Sequence, residues 1–435
     1  MTKQLGAWNT LSLGLMVFAF FLGAGNLIFP PMAGLLAGDN LLASMFGFLM
    51  TAVGLPLLGL LAIAKAGGGI AHLGRYLPSK VANLIALAVY LVLVPMFGIP
   101  RTCLVAYELG FVPLVENASQ ATLLGYSLFY FVAALLFILR RGGLIDSVGK
   151  VITPLLVLCI SIIGVSVFSQ PFAEIAAAQQ NFADMPFGQG FIDGYNTMDA
   201  LAALMFGVLM IEALNTRGIS GKDAQFSYLV KASLIAAVGL TLFYVVLFYL
   251  GATATGVAPE AKNGGQIIVA YVEVLFGLKG QWLLATIVSL ACFTTAIGGI
   301  SSFATYVSDN SKFSYSLIAI VTAACCALVA NIGLDQLLLV SIPILIGIYP
   351  VAVALIAFNL LVNWFNRPHM AARLIIGVAA LFGLMDGLKA AGVNMDAFSL
   401  LPGFSQGFAW LLPTFAAVLV SVFARSEKAA LTETA

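Results

Sequence analysis

Apolar residues in this chain come in long, nearly unbroken runs, with polar residues confined to short stretches between them. A helix needs roughly 20 apolar residues to cross the hydrocarbon core of a bilayer, and runs of that order recur from end to end. Read between the polar punctuation, the pattern predicts twelve spans, at 8–36, 41–64, 81–110, 121–139, 148–168, 188–216, 228–251, 280–307, 314–333, 337–362, 372–390 and 405–424. Two further segments, 172–186 and 264–278, are too polar or too short to span and read as short interfacial helices. No separate soluble region remains, so residues 1–435 form one integral membrane domain of all-α, polytopic type.

Basic residues orient the spans. An even count puts both termini on one side. With that side cytoplasmic, 15 of the 19 Lys and Arg, from Lys3 through Lys65, Arg140, Arg217 and Arg367 to Lys428, lie in cytoplasmic segments. Lys262, Lys279 and Lys389 fall outside, and Arg101 sits within or near the outer part of the third span. That bias is the one membrane insertion imposes. Composition agrees: 62% of residues are hydrophobic and 9% charged, where a soluble chain has roughly 25% charged. A net charge of +1 and the lack of any basic, aromatic-rich patch argue against nucleic acid as a partner. The five cysteines lie in or beside apolar runs without CxxC or Cys/His spacing and read as packing residues. The first apolar run is too long for a signal peptide and reads as the first helix. The segment Leu144 to Val151 misses a phosphate-binding loop at its first glycine and at its final hydroxyl, so a gradient rather than ATP is the expected energy source.

Two spans are interrupted. The first contains Phe20-Phe21-Leu22-Gly23-Ala24-Gly25-Asn26-Leu27-Ile28-Phe29-Pro30-Pro31. Each glycine weakens a helix by about 1 kcal/mol relative to alanine, and Pro30 is tolerated only in the first turn of a new helix. Two half-helices meeting at Gly23–Asn26 account for this pattern; glycine-mediated packing with a proline kink is the plainer alternative. In lipid the freed backbone groups need protein, water or a ligand, and a half-helix N-terminus favours an anion such as a carboxylate. The sixth span opens with Gly188 to Ala200, where Asp193, Tyr195, Asn196, Thr197 and Asp199 interrupt the apolar run. That segment reads equally as a broken helix or as a helix N-terminus capped by Asn196 or Thr197 outside the membrane. An intramembrane carboxylate such as Asp199 is costly and points to function. The first break opens one block of five spans and the second opens the next, the layout of an inverted repeat over 8–168 and 188–362, with 372–424 as two added helices.

In the eighth span, Ala291-Cys292-Phe293-Thr294-Thr295 places hydroxyls near mid-membrane. They suit a small hard cation, or they bond to the carbonyl a turn back. His72 and His369 map to loops, which leaves no histidine as a proton relay. Glu108, Glu212 and Asp386 read as interfacial or paired groups.

The segment Phe20–Pro31 resembles the first-helix signature of the bacterial branched-chain amino acid:cation symporters, and Gly194–Gly207 resembles their sixth helix. The resemblance extends over nearly the whole chain in length, span count and motif order. It implies a LeuT-type 5+5 inverted repeat with discontinuous helices 1 and 6, in the bacterial inner membrane with both termini cytoplasmic. The activity it implies is uptake of leucine, isoleucine and valine with Na⁺, without enzyme chemistry or a bound cofactor. By the same resemblance Gly23, Ala24, Gly25 and Asn26 surround the substrate carboxylate, and Tyr195, Asn196 and Thr197 meet the substrate from the sixth helix. Main-chain oxygens of Ala19, Leu22 and Ala291 with the hydroxyls of Thr294 and Thr295 would hold Na⁺. Met198, Met205 and Phe206 are candidates for the aliphatic pocket. Asp199 departs from the expected pattern and leaves proton coupling, or a second cation, open; a channel is a further alternative.

Overall fold

The computed structural model describes residues 6–140, 155, 157, 158, 161–168, 173–179, 181–219 and 221–423. Among these, every regular element is helical. The labelled helices are α1 (Ala7–Phe21), α2 (Gly25–Ala37), α3 (Leu41–Leu49), α4 (Leu55–Ala66), α5 (Ser79–Leu91), α6 (Gly98–Val105), α7 (Gln120–Leu139) and α8 (Pro186–Tyr195). They continue with α9 (Asp199–Thr216), α10 (Lys222–Ala252), α11 (Gly264–Asp309), α12 (Tyr315–Ala330), α13 (Leu334–Leu361), α14 (Pro368–Ala390) and α15 (Leu411–Phe423). Eight helical runs among the described residues are long and apolar enough to cross a membrane; α1, α12 and α15 are shorter apolar helices. The chain is a multi-pass membrane protein. Most of the predicted fifth span, and the Leu144–Val151 segment, lie outside the described residues.

One of the eight runs, Gly25–Ala66, is 42 residues long. As a straight rod it would measure ~63 Å, about twice the hydrocarbon core. It is not straight, because Gly38 has φ 48° and ψ −126°. A side chain there would sit 2.3 Å from the Ala176 carbonyl oxygen, so only glycine fits this corner. The corner separates the first predicted span from the second, as the sequence pattern has it. Likewise α11 runs 46 residues but contains Gly277 at φ 58°, ψ −154°. That residue divides the predicted 264–278 segment from the predicted eighth span.

Three expectations need correction. Segment 172–186 is not an interfacial helix: its described part at 173–179 is non-helical, and only Asn181–Asp184 makes a helical turn. It forms a strap instead, with Asp39 N–H donating to Ala176 O at 3.0 Å, Ala178 N–H to Asp39 Oδ1 at 2.9 Å and Gln179 N–H to Leu36 O at 2.8 Å. Secondly, α2 begins at Gly25, so Pro30 and Pro31 lie inside it rather than in its first turn. The carbonyls of Asn26 and Leu27 thereby lose their helical donors. Thirdly, the last span starts at Leu411 rather than near 405, because Gly403 and Gly407 hold positive φ (78° and 76°) and keep the preceding chain in turns.

Small residues set the helix spacing around the breaks. A Cβ on Gly34 of α2 would lie 2.1 Å from Phe248 O, and one on Gly251 of α10 would lie 1.9 Å from Pro31 O. The two backbones therefore touch. Gly47 of α3 and Gly190 of α8 make a second such contact, with Phe187 O and Ser44 O at 2.1 and 2.0 Å. Lipid supplies no hydrophobic drive between helices, so close backbone approach of this kind is what holds them together. Three π-helical turns, Met50–Gly54, Val92–Met96 and Ala106–Phe111, interrupt the second and third spans.

Candidate functional site

The site forms where the two broken spans meet. Between α1 and α2 the ladder fails at Leu22–Ala24: the Gly23 N–H donates to Phe21 O at 2.9 Å and to Asn26 Oδ1 at 3.2 Å. Between α8 and α9 it fails at Asn196–Met198, and Met198 adopts a left-handed conformation with φ 65°. It is the one non-glycine residue with positive φ among those described. Such a conformation costs about 1–2 kcal/mol in an L-residue and marks the break as structural. Because α8 precedes it as a full helix, the sixth span is interrupted rather than simply beginning at Asn196. The two breaks are in contact, since a Cβ on Gly25 would sit 3.1 Å from Thr197 Cα and 3.2 Å from Asn196 O.

Side chains stitch the breaks together. Asn26 Nδ2 donates to Asp199 Oδ2 at 2.6 Å and also bonds the Tyr244 hydroxyl, which itself donates to Asp199 Oδ2 at 3.2 Å. Asp199 is the first residue of α9, where the helix dipole favours a negative charge. Arg101, on α6, is 2% exposed. It lies within the third predicted span, and its side chain is turned into the protein. Its Nη1 donates to Asn196 O at 2.6 Å, its Nη2 to Ser341 Oγ at 3.2 Å, and its plane lies over the Phe29 ring at 5.2 Å. The guanidinium thus takes a carbonyl that the break leaves without a helical partner.

A cavity of about 60 Å³ opens at this junction, several times the volume one water needs. Of the residues expected at the substrate, Gly23, Ala24, Gly25 and Thr197 line it. Asn26, Tyr195 and Asn196 stand behind the wall. Asn26 holds Asp199, Asn196 holds Arg101 through its carbonyl, and Tyr195 stacks on Tyr349 with ring centroids 4.2 Å apart. Met198, Met205 and Phe206 all face the cavity, together with Phe20. Of the expected cation ligands only Thr295 lines it. The Thr294 and Thr295 hydroxyls both donate to Ala291 O, at 2.9 and 3.1 Å, which gathers three oxygens but also satisfies the simple helix-bonding alternative. Ala19 and Leu22 are not part of the cavity wall. Arg101, Tyr244 and Ser341 were not expected at the site. Elsewhere, Glu108 accepts from Asn263 Nδ2 at 3.1 Å, Glu212 is exposed, and Asp386 is buried away from the cavity.

Residues 7–428 match the family described as branched-chain amino acid transport protein. The chain belongs to that family. It is a transport protein rather than an enzyme. Among its relatives, the branched-chain amino acid transport system 2 carrier protein of Pseudomonas aeruginosa is 44% identical over 423 residues, 96% of each chain. The branched-chain amino acid permease BrnQ of Escherichia coli is 38% identical over 425 residues, 97% of each chain. Two solved structures share the fold. One is a Na⁺-coupled sialic acid symporter in a substrate-bound, outward-open state, with TM-score 0.63 at 12% identity over 96% of this chain and 90% of the other. The second is a nucleobase-cation-symport-1 family transporter in a closed conformation, with TM-score 0.56 at 14% identity over 96% and 95%. Both are transporters of the LeuT fold.

Proposed function

We propose that this member of the family takes up leucine, isoleucine and valine by symport with Na⁺. It would do so in the bacterial inner membrane, with both termini cytoplasmic. The observation that carries the reading is the cavity shared by two broken helices, lined by Gly23–Gly25 and Thr197 together with Phe20, Met198, Met205 and Phe206. Backbone and hydroxyl groups together with large apolar side chains in one small cavity fit a neutral amino acid with a branched side chain, the substrate class named for the relatives. In this reading the twelve spans form a 5+5 inverted repeat with two added helices. Na⁺ takes its oxygens from Ala19, Leu22, Ala291, Thr294 and Thr295, as the resemblance implies; the gathering of three of these oxygens beside the cavity supports that choice. Substrate and ion stabilise the broken helices, and rocking of one helical bundle against the rest exposes them to the other side.

The energetics suffice. One charge crossing 100 mV contributes ~2.3 kcal/mol, and a tenfold Na⁺ gradient adds ~1.4 kcal/mol. Together they sustain a gradient of roughly several hundredfold for a neutral substrate.

A second reading keeps the fold and substrate but couples to protons, and the buried Asp199 carboxylate in the cavity wall favours it. Radiolabelled leucine uptake into proteoliposomes, under an inward gradient of Na⁺, of protons or of neither, separates the two. Na⁺-dependent uptake competed by isoleucine and valine supports the first. Uptake that follows only the proton gradient supports the second. Saturation-free current without leucine uptake would make the protein a channel and sink both.

A further inference from the structure

The cavity wall contains one cationic and one anionic side chain, Arg101 and Asp199. Both are almost completely buried, at 2% and 3% exposure. Burial of a charge is costly unless an opposite charge meets it, yet among the described residues the hydrogen-bond partners of both are neutral. Arg101 has the Asn196 carbonyl, the Ser341 hydroxyl and the Phe29 ring, and its Nε–H has no acceptor at all. Asp199 has the side chains of Asn26, Tyr244 and Thr197, all neutral, and the Asn26 and Tyr244 bonds both end on Oδ2.

We propose that Arg101 and Asp199 are the two poles of a zwitterion site, in which the guanidinium receives the substrate α-carboxylate and the Asp199 carboxylate receives the α-ammonium. The proposal rests on the reading that a free amino acid occupies this cavity, and it adds a charged anchor for the carboxylate to the half-helix amides. Three of the amides at the break are already engaged. The Gly23 N–H is bonded to Phe21 O and Asn26 Oδ1, the Asn26 N–H to Gly23 O at 3.2 Å, and the Leu27 N–H to Ala24 O at 3.3 Å. A guanidinium matches a carboxylate with parallel N–H donors and stays charged when buried. Bound this way, the substrate neutralises both wall charges at once, while its side chain is left against Met198, Met205 and Phe206. Molecules carrying only one of the two charges leave the opposite pole unpaired, so the site selects free amino acids over amines, amides and acids of the same carbon skeleton.

Binding to purified full-length protein in nanodiscs tests this, with leucine, leucinamide and 4-methylpentanoate as probes. The wild type should prefer leucine over each analogue by about a hundredfold, the loss expected when a buried charge goes unpaired. In Arg101→Gln the preference for leucine over leucinamide should collapse to within about threefold, with the preference over 4-methylpentanoate retained. Asp199→Asn should do the reverse. Arg101→Lys, which keeps the charge, should keep both preferences. Unchanged ratios in folded Arg101→Gln, or its loss of all three ligands while folded, would overturn the proposal. So would a wild type that binds leucinamide as well as leucine, a result that needs no variant. A wild type that binds none of the three would instead overturn the substrate reading on which the proposal rests.

Discussion

Asn26 and Asp199 lie 173 residues apart in sequence and 2.6 Å apart in space, amide to carboxylate, each beside the break in its own span. The bond makes the two interruptions one structure. Asn26→Ala removes a donor to a buried carboxylate, a loss of roughly 1.5–3 kcal/mol. It should lower both the melting temperature in detergent and leucine uptake, the latter about tenfold or more. Asn26→Asp should be worse than alanine, because it sets two carboxylates against each other. Tyr244→Phe, which leaves the Asn26 bond in place, should be the mildest of the three. Thermal unfolding and uptake on the same preparations give the order directly.

Gly25 and Gly23 should respond differently to alanine although both sit at the first break. At Gly25 the new methyl meets Thr197 Cα at 3.1 Å and two backbone oxygens at 3.2 Å. Those atoms belong to the second break and cannot move without opening it. At Gly23 the nearest atom is Asn26 Oδ1, at an unstrained 3.6 Å. Uptake should be lost in Gly25→Ala and measurable in Gly23→Ala, and equal loss in both would contradict the packing described.

Much of this junction is legible in the sequence, and the reason is local. Glycines, prolines and polar residues gathered within apolar runs mark Gly23–Asn26 and Tyr195–Asp199 as candidate breaks, and the full helix α8 ahead of Asn196 decides the second. Arg101 does not. Its flanks, Met96 to Leu104, hold only apolar and small residues beside it, and its partner is the Asn196 carbonyl 95 positions away. A count of basic residues on either side of the membrane places it within or near the outer part of the third span and names no partner for it. The one available signal was that a lone arginine within a span must be met by something. The strap at 173–179 was hidden for a similar reason, because its bonds run from backbone to the distant corner at Leu36–Asp39. Nothing in its own residues specifies them.

Met198 offers a test of local strain. Replacing it with glycine removes a left-handed penalty of about 1–2 kcal/mol and should raise the melting temperature. The same change deletes a side chain from the cavity wall, so the KM for leucine should rise. Met198→Ile, β-branched at positive φ, should destabilise. A glycine variant with lowered melting temperature would show that the Met198 side chain contributes more than its backbone costs.

Thr295 and Thr286 lie on the same helix, and each donates its hydroxyl to a carbonyl one turn back, Ala291 and Trp282 respectively. Only Thr295 faces the cavity; Thr286 is exposed. Thr295→Ala should raise the Na⁺ concentration needed for half-maximal uptake by about tenfold, the loss of one charge-assisted ligand. Thr286→Ala should leave it unchanged. Na⁺ titrations of uptake at fixed leucine decide the matter, and equal curves for the two variants would remove the hydroxyl from the ion site.

The strap has a mechanical consequence. Its backbone is latched to the corner after α2, while α3 and α8 touch through Gly47 and Gly190 with no room for a side chain between them. The half-helix α2, the corner, α3, the strap and α8 are therefore packed as one unit, which α10 joins through Gly34 and Gly251. The non-helical links at Leu22–Ala24 and Asn196–Met198 are where this unit joins α1 and α9. These two links touch at the cavity, so any bend at the breaks would reshape the cavity wall directly.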